Sequence, residues 1–448
     1  MTMEELFPNI ARLIERVNDL IYTITPQPST IALIIIALLM ILFISELLPI
    51  ATTSVLACLA MAVFGVISFP RAFAGFGNDI VFLMAGMMTV GNALFETGAA
   101  KAMGNKIIKA VGTNEKVFLA ALIIVSLPIS AFLSNTATAA IMLPIAASAI
   151  AASGGKFTKK NTYMIVGMAA VTGGGLTLVS SPPQLIAQGI LEEGGHEVMG
   201  FFDIGLFGLP LFILLVVFAT TIGHKLQSKV FNFEEVSDIA PTTEGEEEPP
   251  INKRKMWTSV AVLVFCVTGF VAGWWSAGIV AMIGAVVCIA TGCISQKKVF
   301  EKMDWTTIII FGCSFGFAAG LEDSGAGEMI AQGTIRLLGS GITPWMLCAV
   351  LALIAVLLTN FMSSTATAAL LIPIAVFSAV EMGYDVRSVV MAVAIASSIG
   401  YATPMSTPPM TMTLTGGYRF ADYIKVGGLF NLLAFILVVL LFPLILNF

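Results

Sequence analysis

The sequence predicts an all-α polytopic membrane protein built from two inverted repeats. Of its 448 residues, 58% are hydrophobic and only 11% are charged, and the mean hydropathy is +0.97. A soluble domain carries about 25% charged residues, so this composition is typical of a chain embedded in lipid. Polar landmarks of the first half also return in the second half in the same order. Apolarity and repetition together indicate a membrane bundle with internal symmetry.

Apolar stretches near the length that crosses a ~30 Å hydrocarbon core recur along the chain. A single membrane anchor does not explain so many of them. The predicted spans are 31–48, 52–68, 79–97, 201–223, 257–275, 276–293, 304–322 and 424–446.

The repeat is visible by eye. The segment Leu133–Ala140 (LSNTATAA) returns 229 positions later as Met362–Ala369 (MSSTATAA), and each copy is followed by a Pro-Ile-Ala run. Ser180–Pro183 returns as Ser406–Pro409 after 226 positions. Glu96–Gly98 returns as Asp323–Gly325 after 227 positions. Three landmarks at nearly one offset indicate two related halves, the sequence signature of transporters built from internal repeats.

The distribution of Lys and Arg predicts the orientation, because positively charged loops stay in the cytoplasm. With the acidic linker inside, seventeen Lys and Arg residues are cytoplasmic and five are outside. Each half then has an odd number of full crossings, so the first hairpin opens from the cytoplasm and the second from outside. The five basic residues on the outer side are Arg12, Arg16, Arg71, Arg336 and Arg387.

These features divide the chain into four predicted parts. An amphipathic N-terminal segment covers 1–30, the first repeat 31–225, an acidic cytoplasmic linker 226–256 and the second repeat 257–448. The first repeat contains a scaffold region (31–97), a hairpin interrupted by Ser-Asn-Thr (116–153), a broken helix (161–195) and a further helix (201–223). The second repeat contains the matching hairpin (343–380) and broken helix (386–416).

The polar breaks are the candidate binding site, because irregular backbone at membrane depth is costly unless it lines a cavity. Each break begins a half-helix whose free N–H groups and dipole attract an anion without a buried Lys or Arg. Oxygen atoms of Ser130, Ser134 and Asn135 could hold a small cation such as sodium. Thr359, Ser363 and Ser364 form the mirrored cluster. For Thr138, Thr367 and the Gly173–Gly175 run, close helix packing is the simpler interpretation.

Enzyme chemistry finds no support in the sequence. The two histidines, His196 and His224, form no HExxH or Ser-His-Asp pattern, and no phosphate-binding loop occurs. The six cysteines lie in apolar runs without a CxxC pair, which argues against a metal site or a disulfide framework. Glu46, Glu96, Glu322 and Asp323 lie near span ends, where an interfacial position explains them more simply than a proton relay. We expect neither an enzyme nor a bound cofactor.

At the hairpin tips and breaks the chain resembles the divalent anion/sodium symporter family, which includes di- and tricarboxylate transporters. The resemblance covers the chain from about residue 31 onward. It implies an elevator mechanism in a homodimer, with arms at 98–113 and 325–340 that join scaffold to carrier. It also implies substrate contacts by Ser134, Asn135, Thr136, Ser181, Pro182, Ser363, Ser364, Thr365, Thr407 and Pro408.

By the same resemblance one sodium site uses Ser130, Ser134, Asn135 and Ser180, and the other uses Thr359, Ser363, Ser364 and Ser406. The chain departs from the family pattern at Ser364, where the family has Asn, and a hydroxyl cannot offer both an amide donor and a carbonyl acceptor. It also departs at Gln184 and Met410, where an Asn is common, and in its N-terminal segment, which replaces an extra first span.

The sequence thus predicts a secondary carrier of C4-dicarboxylates such as succinate, malate or fumarate, or of related di- and tricarboxylates, coupled to sodium in a bacterial cytoplasmic membrane. The substrate and the bilayer are the expected partners, and nucleic acid is not. A sodium-independent exchanger and a sulfate carrier remain open alternatives. From a different class, a passive anion channel or a membrane sensor remains open as well.

Overall fold

A computed structural model describes residues 27–45, 47–99, 114–153, 156–231, 252–338 and 342–446. The predicted amphipathic segment up to residue 26, Glu46, the first arm from residue 100 and the acidic core of the linker lie outside these residues. Within the described ranges every regular element is helical.

The first half contains ten described helices in an order that the second half repeats. A short 3₁₀ turn at Ala74–Gly77 separates the third helix from the fourth. The helices are α1 (Pro28–Ser45), α2 (Ile50–Val63), α3 (Phe69–Ala72), α4 (Asp79–Glu96), α5 (Glu115–Phe132), α6 (Asn135–Ala152), α7 (Lys159–Gly173), α8 (Pro182–Glu193), α9 (Gly205–Thr220) and α10 (Ile222–Val230).

The second half follows the same plan. The predicted second arm, 325–340, is largely a described helix, whereas residues 339–341 lie outside the described part of the chain. The helices are α11 (Lys253–Ala272), α12 (Ala277–Ala290), α13 (Gln296–Lys302), α14 (Trp305–Asp323), α15 (Ala326–Leu338), α16 (Pro344–Thr359), α17 (Ser364–Met382), α18 (Val386–Ser397), α19 (Pro408–Met412), α20 (Phe420–Asp422) and α21 (Gly428–Ile445).

The described helices are those of a multi-pass membrane protein. Six of them are long and apolar enough to cross a bilayer, and the bent pair α9 and α10 gives up to seven. Helix α11 keeps only 22% of its span buried, so most of its apolar surface is turned outward. By contrast, α7 is buried from Asn161 to Gly173 and α18 from Ser388 to Ser397. These two helices form the core around which the hairpins pack.

The halves interlock by exchanging helices. Helix α4 packs along α12, and its counterpart α14 packs along α2. Glycines permit both approaches: a Cβ on Gly86 would lie 2.6 Å from the Ala281 backbone of α12, and one on Gly316 would lie 2.8 Å from the Cys58 sulfur of α2. The pairing is reciprocal, as a two-fold relation between the halves requires.

The two hairpins, α5–α6 and α16–α17, enter from opposite ends of the molecule. At the base of the first, Glu115 accepts a 2.9 Å hydrogen bond from His224, just beyond the C-terminal end of α9. At the base of the second, Arg387 pairs with Asp203, just before the N-terminal end of the same helix. The 16 residues of α9 span about 24 Å. The repeats are therefore inverted, and the predicted fold class is confirmed.

Candidate binding site

Each hairpin tip is a helix end followed at once by a helix start. In the first tip, Ser134 is the N-cap of α6 and its hydroxyl accepts a hydrogen bond from the Ala137 N–H at 3.2 Å. In the second, Ser363 is the N-cap of α17 and accepts from the Ala366 N–H at 3.2 Å. Serine is a preferred N-cap because its oxygen satisfies one otherwise free donor. The neighbouring N–H groups stay available, with the positive end of the helix dipole behind them.

The broken helices are held by the same bonds in both halves. The Ser180 hydroxyl donates to the Gly174 carbonyl and, at 2.9 Å, to the Thr177 carbonyl. The Ser406 hydroxyl donates to the Gly400 carbonyl at 2.6 Å and to the Thr403 carbonyl at 3.0 Å. Proline begins both following helices, where the missing N–H costs no helical hydrogen bond. Both loops are thereby ordered beside a hairpin tip.

The tips and breaks meet at one cavity of about 840 Å³. All ten predicted substrate-binding residues line this cavity, so the structure brings together positions up to 274 residues apart in sequence. Their binding roles stay predictions. These residues are Ser134, Asn135, Thr136, Ser181, Pro182, Ser363, Ser364, Thr365, Thr407 and Pro408.

One hydroxyl on the cavity wall lacks a partner. Thr407 is 5% exposed, and its Oγ1 atom makes no hydrogen bond within the described chain. A buried hydroxyl without a partner is destabilising by about 1–3 kcal/mol, unless a ligand or water supplies the bond. The Thr407 hydroxyl is therefore a buried polar group beside the cavity whose hydrogen bond is not supplied by the described chain.

The first predicted cation cluster is compact and rich in oxygen. The Ser130 hydroxyl lies 2.5 Å from the Ala170 carbonyl oxygen and 3.1 Å from Asn135 Oδ1. The Asn135 amide lies directly against Gly174, where an added Cβ would be 2.1 Å from Oδ1. Ser180 reaches the Gly174 carbonyl from the other side. Hard neutral oxygens of this kind fit a sodium ion. The Ser134 hydroxyl instead caps α6.

The second predicted cation cluster keeps the backbone plan but has fewer oxygens. Thr359 donates to the Ser397 carbonyl at 2.8 Å. The atoms nearest to a Cβ built on Gly400 belong to Ser406 and Thr359, so no amide fills the place that Asn135 fills in the first half. Ser364 holds its place by its backbone, whose N–H donates to the Ser406 carbonyl at 3.3 Å. The Ser363 hydroxyl caps α17, as Ser134 caps α6.

An asparagine nearby does not compensate for Ser364. Asn360 donates from Nδ2 to the Val356 carbonyl at 2.6 Å, and its Oδ1 accepts from the Ala402 N–H at 3.0 Å. Both ends of its amide are used to order the break. The substitution at Ser364 is therefore a real difference between the sites.

Gln184 lies beside the first predicted cation cluster, a position that sequence reasoning did not assign to it. Its side chain is fully buried, Nε2 donates to the Gly174 carbonyl at 3.2 Å, and Oε1 has no partner within the described chain. Its counterpart in the second half is Met410. The departure from the family's Asn at this position was visible in the sequence, but the contact with Gly174 was not.

A methionine wall also escaped sequence reasoning. It lines the same cavity as the tips, and methionine adapts its shape to moving or varied neighbours. An apolar stripe in a membrane helix gives no signal that separates such a wall from core packing. Its members are Met84, Met87, Met88, Met405 and Met412.

The acids near span ends are held in ion pairs. Glu96 lies 2.5 Å from both Lys298 and Lys302, while Arg71 lies 3.4 Å from Glu322 and 3.5 Å from Asp323. Among the described residues no group of His, Cys, Asp and Glu is arranged to hold a metal ion. The proton-relay alternative gains no support from these pairs.

Comparison with known proteins places the chain among transporters. An uncharacterised transporter of Haemophilus influenzae is 29% identical over 91% of this chain and 89% of its own length. A sodium-dependent dicarboxylate transporter of Staphylococcus saprophyticus is 25% identical over 89% of this chain and 82% of its own length. The fold is similar to the crystal structure of the YdaH transporter of Alcanivorax borkumensis, with a TM-score of 0.64, 14% identity and coverage of 94% of this chain and 98% of that one.

The sequence profile of the citrate transporter family matches residues 40–388, which include both hairpins and the first broken helix. The predicted resemblance to the divalent anion/sodium symporters is confirmed by this match and by the dicarboxylate transporters among the relatives. The protein is a membrane transporter and not an enzyme. The chain belongs to the citrate transporter family.

Proposed function

We propose that this protein carries C4-dicarboxylates across a bacterial cytoplasmic membrane, coupled to sodium, by an elevator mechanism. The observation that carries the proposal is the meeting of two capped hairpin tips and two proline-led half-helices at one cavity. Relatives of known substrate are sodium-dependent dicarboxylate transporters.

The charge of the substrate is met by backbone dipoles and hydroxyls. Helices α6 and α17 both begin at the cavity, so each can direct free N–H groups at one carboxylate. Thr407 adds its unpartnered hydroxyl. A substrate with two carboxylates joined by a short carbon chain would contact both tips at once. The methionine wall suits the apolar chain between the carboxylates.

The first cation cluster is proposed as the principal sodium site. Sodium bound among Asn135, Ser130 and the Gly174 carbonyl would fix the Asn135 side chain and add positive charge beside the substrate carboxylate. Substrate affinity would then depend on sodium, and sodium affinity on substrate, because coupling between two ligands is reciprocal. The second cluster lacks the amide at Ser364 and would bind sodium more weakly.

The moving part would contain both hairpins with α7, α8, α18 and α19. The scaffold would contain α1, α2, α4 and their counterparts α11, α12 and α14, and would form the homodimer. Of the methionine wall, Met84, Met87 and Met88 lie on α4 and would face the moving part at the cavity. The acidic linker would be cytoplasmic, which places the base of the first hairpin, His224 and α13 on the cytoplasmic side.

Ser364 gives one alternative a specific basis. If the second site has lost its cation, an exchanger that runs on the substrate gradient alone would need only the anion site. The choice between symport and exchange thus depends on whether the first cluster binds sodium tightly enough to drive the cycle.

Uptake of labelled succinate into proteoliposomes tests the proposal. One set of vesicles receives an inward sodium gradient, and the other contains unlabelled succinate with no sodium on either side. We expect uptake in the first set alone. Uptake in the second set would establish an exchanger, and sulfate uptake without succinate uptake would reject the dicarboxylate assignment.

A further inference from the structure

We propose that Lys302 is a substrate-recruiting residue at one mouth of the cavity and raises the affinity for dianions from that face of the membrane only. The inference rests on the proposed function, in that the cavity takes a dianion. It concerns a residue outside the hairpin tips and breaks.

Lys302 is the only basic residue among the described residues that line the cavity. The lining contains one other charged residue, Asp304. Both oxygens of Asp304 are engaged as the cap of α14, accepting from the Thr307 N–H at 3.1 Å and from the Thr307 hydroxyl at 2.5 Å. Its charge is also offset by the positive end of the α14 dipole. Lys302 therefore supplies the main full charge that an entering anion meets.

The carboxylate that pairs with Lys302 has a second lysine partner. Its ammonium lies 2.5 Å from one oxygen of Glu96, and the Lys298 ammonium lies 2.5 Å from the other. Two cations thus share one carboxylate whose side chain is 10% exposed. If Lys302 turns toward a substrate carboxylate, Glu96 keeps Lys298 and no buried charge is left unpaired. The exchange of partners consequently costs little.

Lys302 can turn without unfolding its surroundings. Its side chain is 35% exposed, and its ammonium lies 4.8 Å from the centre of the Phe95 ring, a second cavity residue. Lys297 and Glu301 form a neighbouring ion pair, 3.7 Å apart, whose side chains are exposed to solvent. Lys297 does not line the cavity. Lys297 therefore offers a matched control with the same charge on the same short helix.

Among the described residues that line the cavity, no second cation corresponds to Lys302 in the first half. Helices α2 and α12 begin 227 positions apart, at Ile50 and Ala277, and at that offset the counterpart of Lys302 is Gly75. Gly75 is buried, and a Cβ there would lie 2.3 Å from the Gly312 carbonyl oxygen and 2.7 Å from Phe315. A side chain longer than that of glycine does not fit at this position. The cation is present on one face of an otherwise symmetrical frame.

The exposed hairpin tip is consistent with entry at the Lys302 face. Ser134 and Thr136 are exposed to the cavity, whereas Ser364 and Thr365 are each 8% exposed. The base of the first hairpin lies beside α10, which precedes the polar linker. Helix α11 follows the linker, and its Lys255 carbonyl lies 3.5 Å from the Cys293 sulfur, just before α13. Lys302 and the base of the first hairpin therefore share one face.

The test compares K302Q with K297Q and the unmodified protein. Binding of succinate, citrate and sulfate to the purified proteins is measured by titration calorimetry. Succinate uptake is measured in right-side-out and in inverted vesicles at low and high ionic strength. We expect K302Q to raise the apparent KM at the α13 face about fivefold, to weaken its dependence on ionic strength and to leave the other face unchanged. K297Q should behave as the unmodified protein.

Equal changes of KM on both faces, or no change on either, would overturn the inference. Unchanged binding and unchanged uptake in K302Q would likewise reduce Lys302 to a surface ion pair. If no dianion is transported by the unmodified protein, the proposed function fails. Binding that weakens in K302Q and not in K297Q would still support the recruiting role in that case, and binding that weakens equally in both would reject it.

Discussion

The two hairpin sites share a backbone plan and differ in their side chains. In both halves a serine caps the inner hairpin helix, and a second serine ties the break to a glycine carbonyl. The first half adds the amide of Asn135 and the buried amide of Gln184, and the second has Ser364 and Met410 instead. The comparison teaches that both halves keep the backbone frame, while the oxygens predicted to hold a cation are concentrated in the first half.

The largest difference is expected between Asn135→Ala and Ser364→Ala. Asn135 contacts Ser130 and lies against Gly174, so its loss would remove a proposed cation ligand and a tip contact together. We expect uptake to fall on the order of 100-fold for Asn135→Ala and less than about tenfold for Ser364→Ala. Initial rates in proteoliposomes measure both. Equal losses would mean that the two sites contribute alike.

A steric version of the same comparison uses Gly174→Ala. The new methyl group would meet Asn135 Oδ1 at 2.1 Å and displace the amide from the site. Because the displaced group is the end of a flexible side chain, the fold should survive while the half-saturating sodium concentration rises about tenfold. Gly333→Ala is the control, since an added Cβ there meets nothing within 4 Å. Sodium-dependent thermal stabilisation reports binding independently of transport.

Gln184→Met gives the first half the residue of the second. It removes the unpartnered buried oxygen and the bond to the Gly174 carbonyl. We expect a severalfold rise in the half-saturating sodium concentration, with little change in succinate KM at saturating sodium. Met410→Leu is the matched change in the second half and should leave sodium binding unchanged. A null result for Gln184→Met would assign this glutamine to packing.

The smallest expected effect comes from Ser364→Asn, which restores the second site. An amide at this position can reach toward Gly400 as Asn135 reaches toward Gly174. The Hill coefficient for sodium should then rise from about 1 toward about 2, since it is limited by the number of coupled sites. If the unmodified protein already has a coefficient near 2, Ser364 still serves a cation and the comparison between the halves fails.

Much of the fold could be predicted from the sequence because a bilayer imposes a small number of strict constraints on the chain. The helix bounds found at 115–152 and 344–382 lie within a few residues of the hairpins predicted at 116–153 and 343–380. Internal repetition located the breaks, since irregular backbone is tolerated in a membrane only where it lines a cavity. The full set of ten cavity residues was named from the resemblance to the divalent anion/sodium symporters, at the breaks that repetition had located.

What sequence reasoning missed depends on contacts between distant segments. Gln184 looked like a departure from a family pattern, and only its bond to Gly174 makes it part of a site. Lys302 counted as one basic residue in a cytoplasmic loop, and only the packing of α13 on α4 places it on the cavity wall. Glu96 was assigned to the membrane interface, and only the structure shows that it pairs there with Lys298 and Lys302. These ion pairs account for the largely buried carboxylate without a proton-relay role.

The sequence by itself determined that the chain spans a membrane, that it is built from two halves and that the halves differ at Ser364. Apolarity, repetition and a single substitution are properties of the chain read in order. Only the tertiary structure decided which oxygens converge, which polar atoms stay unpartnered and which charge faces the cavity. Those properties depend on distances of a few ångströms between elements far apart in sequence, which local pattern does not encode.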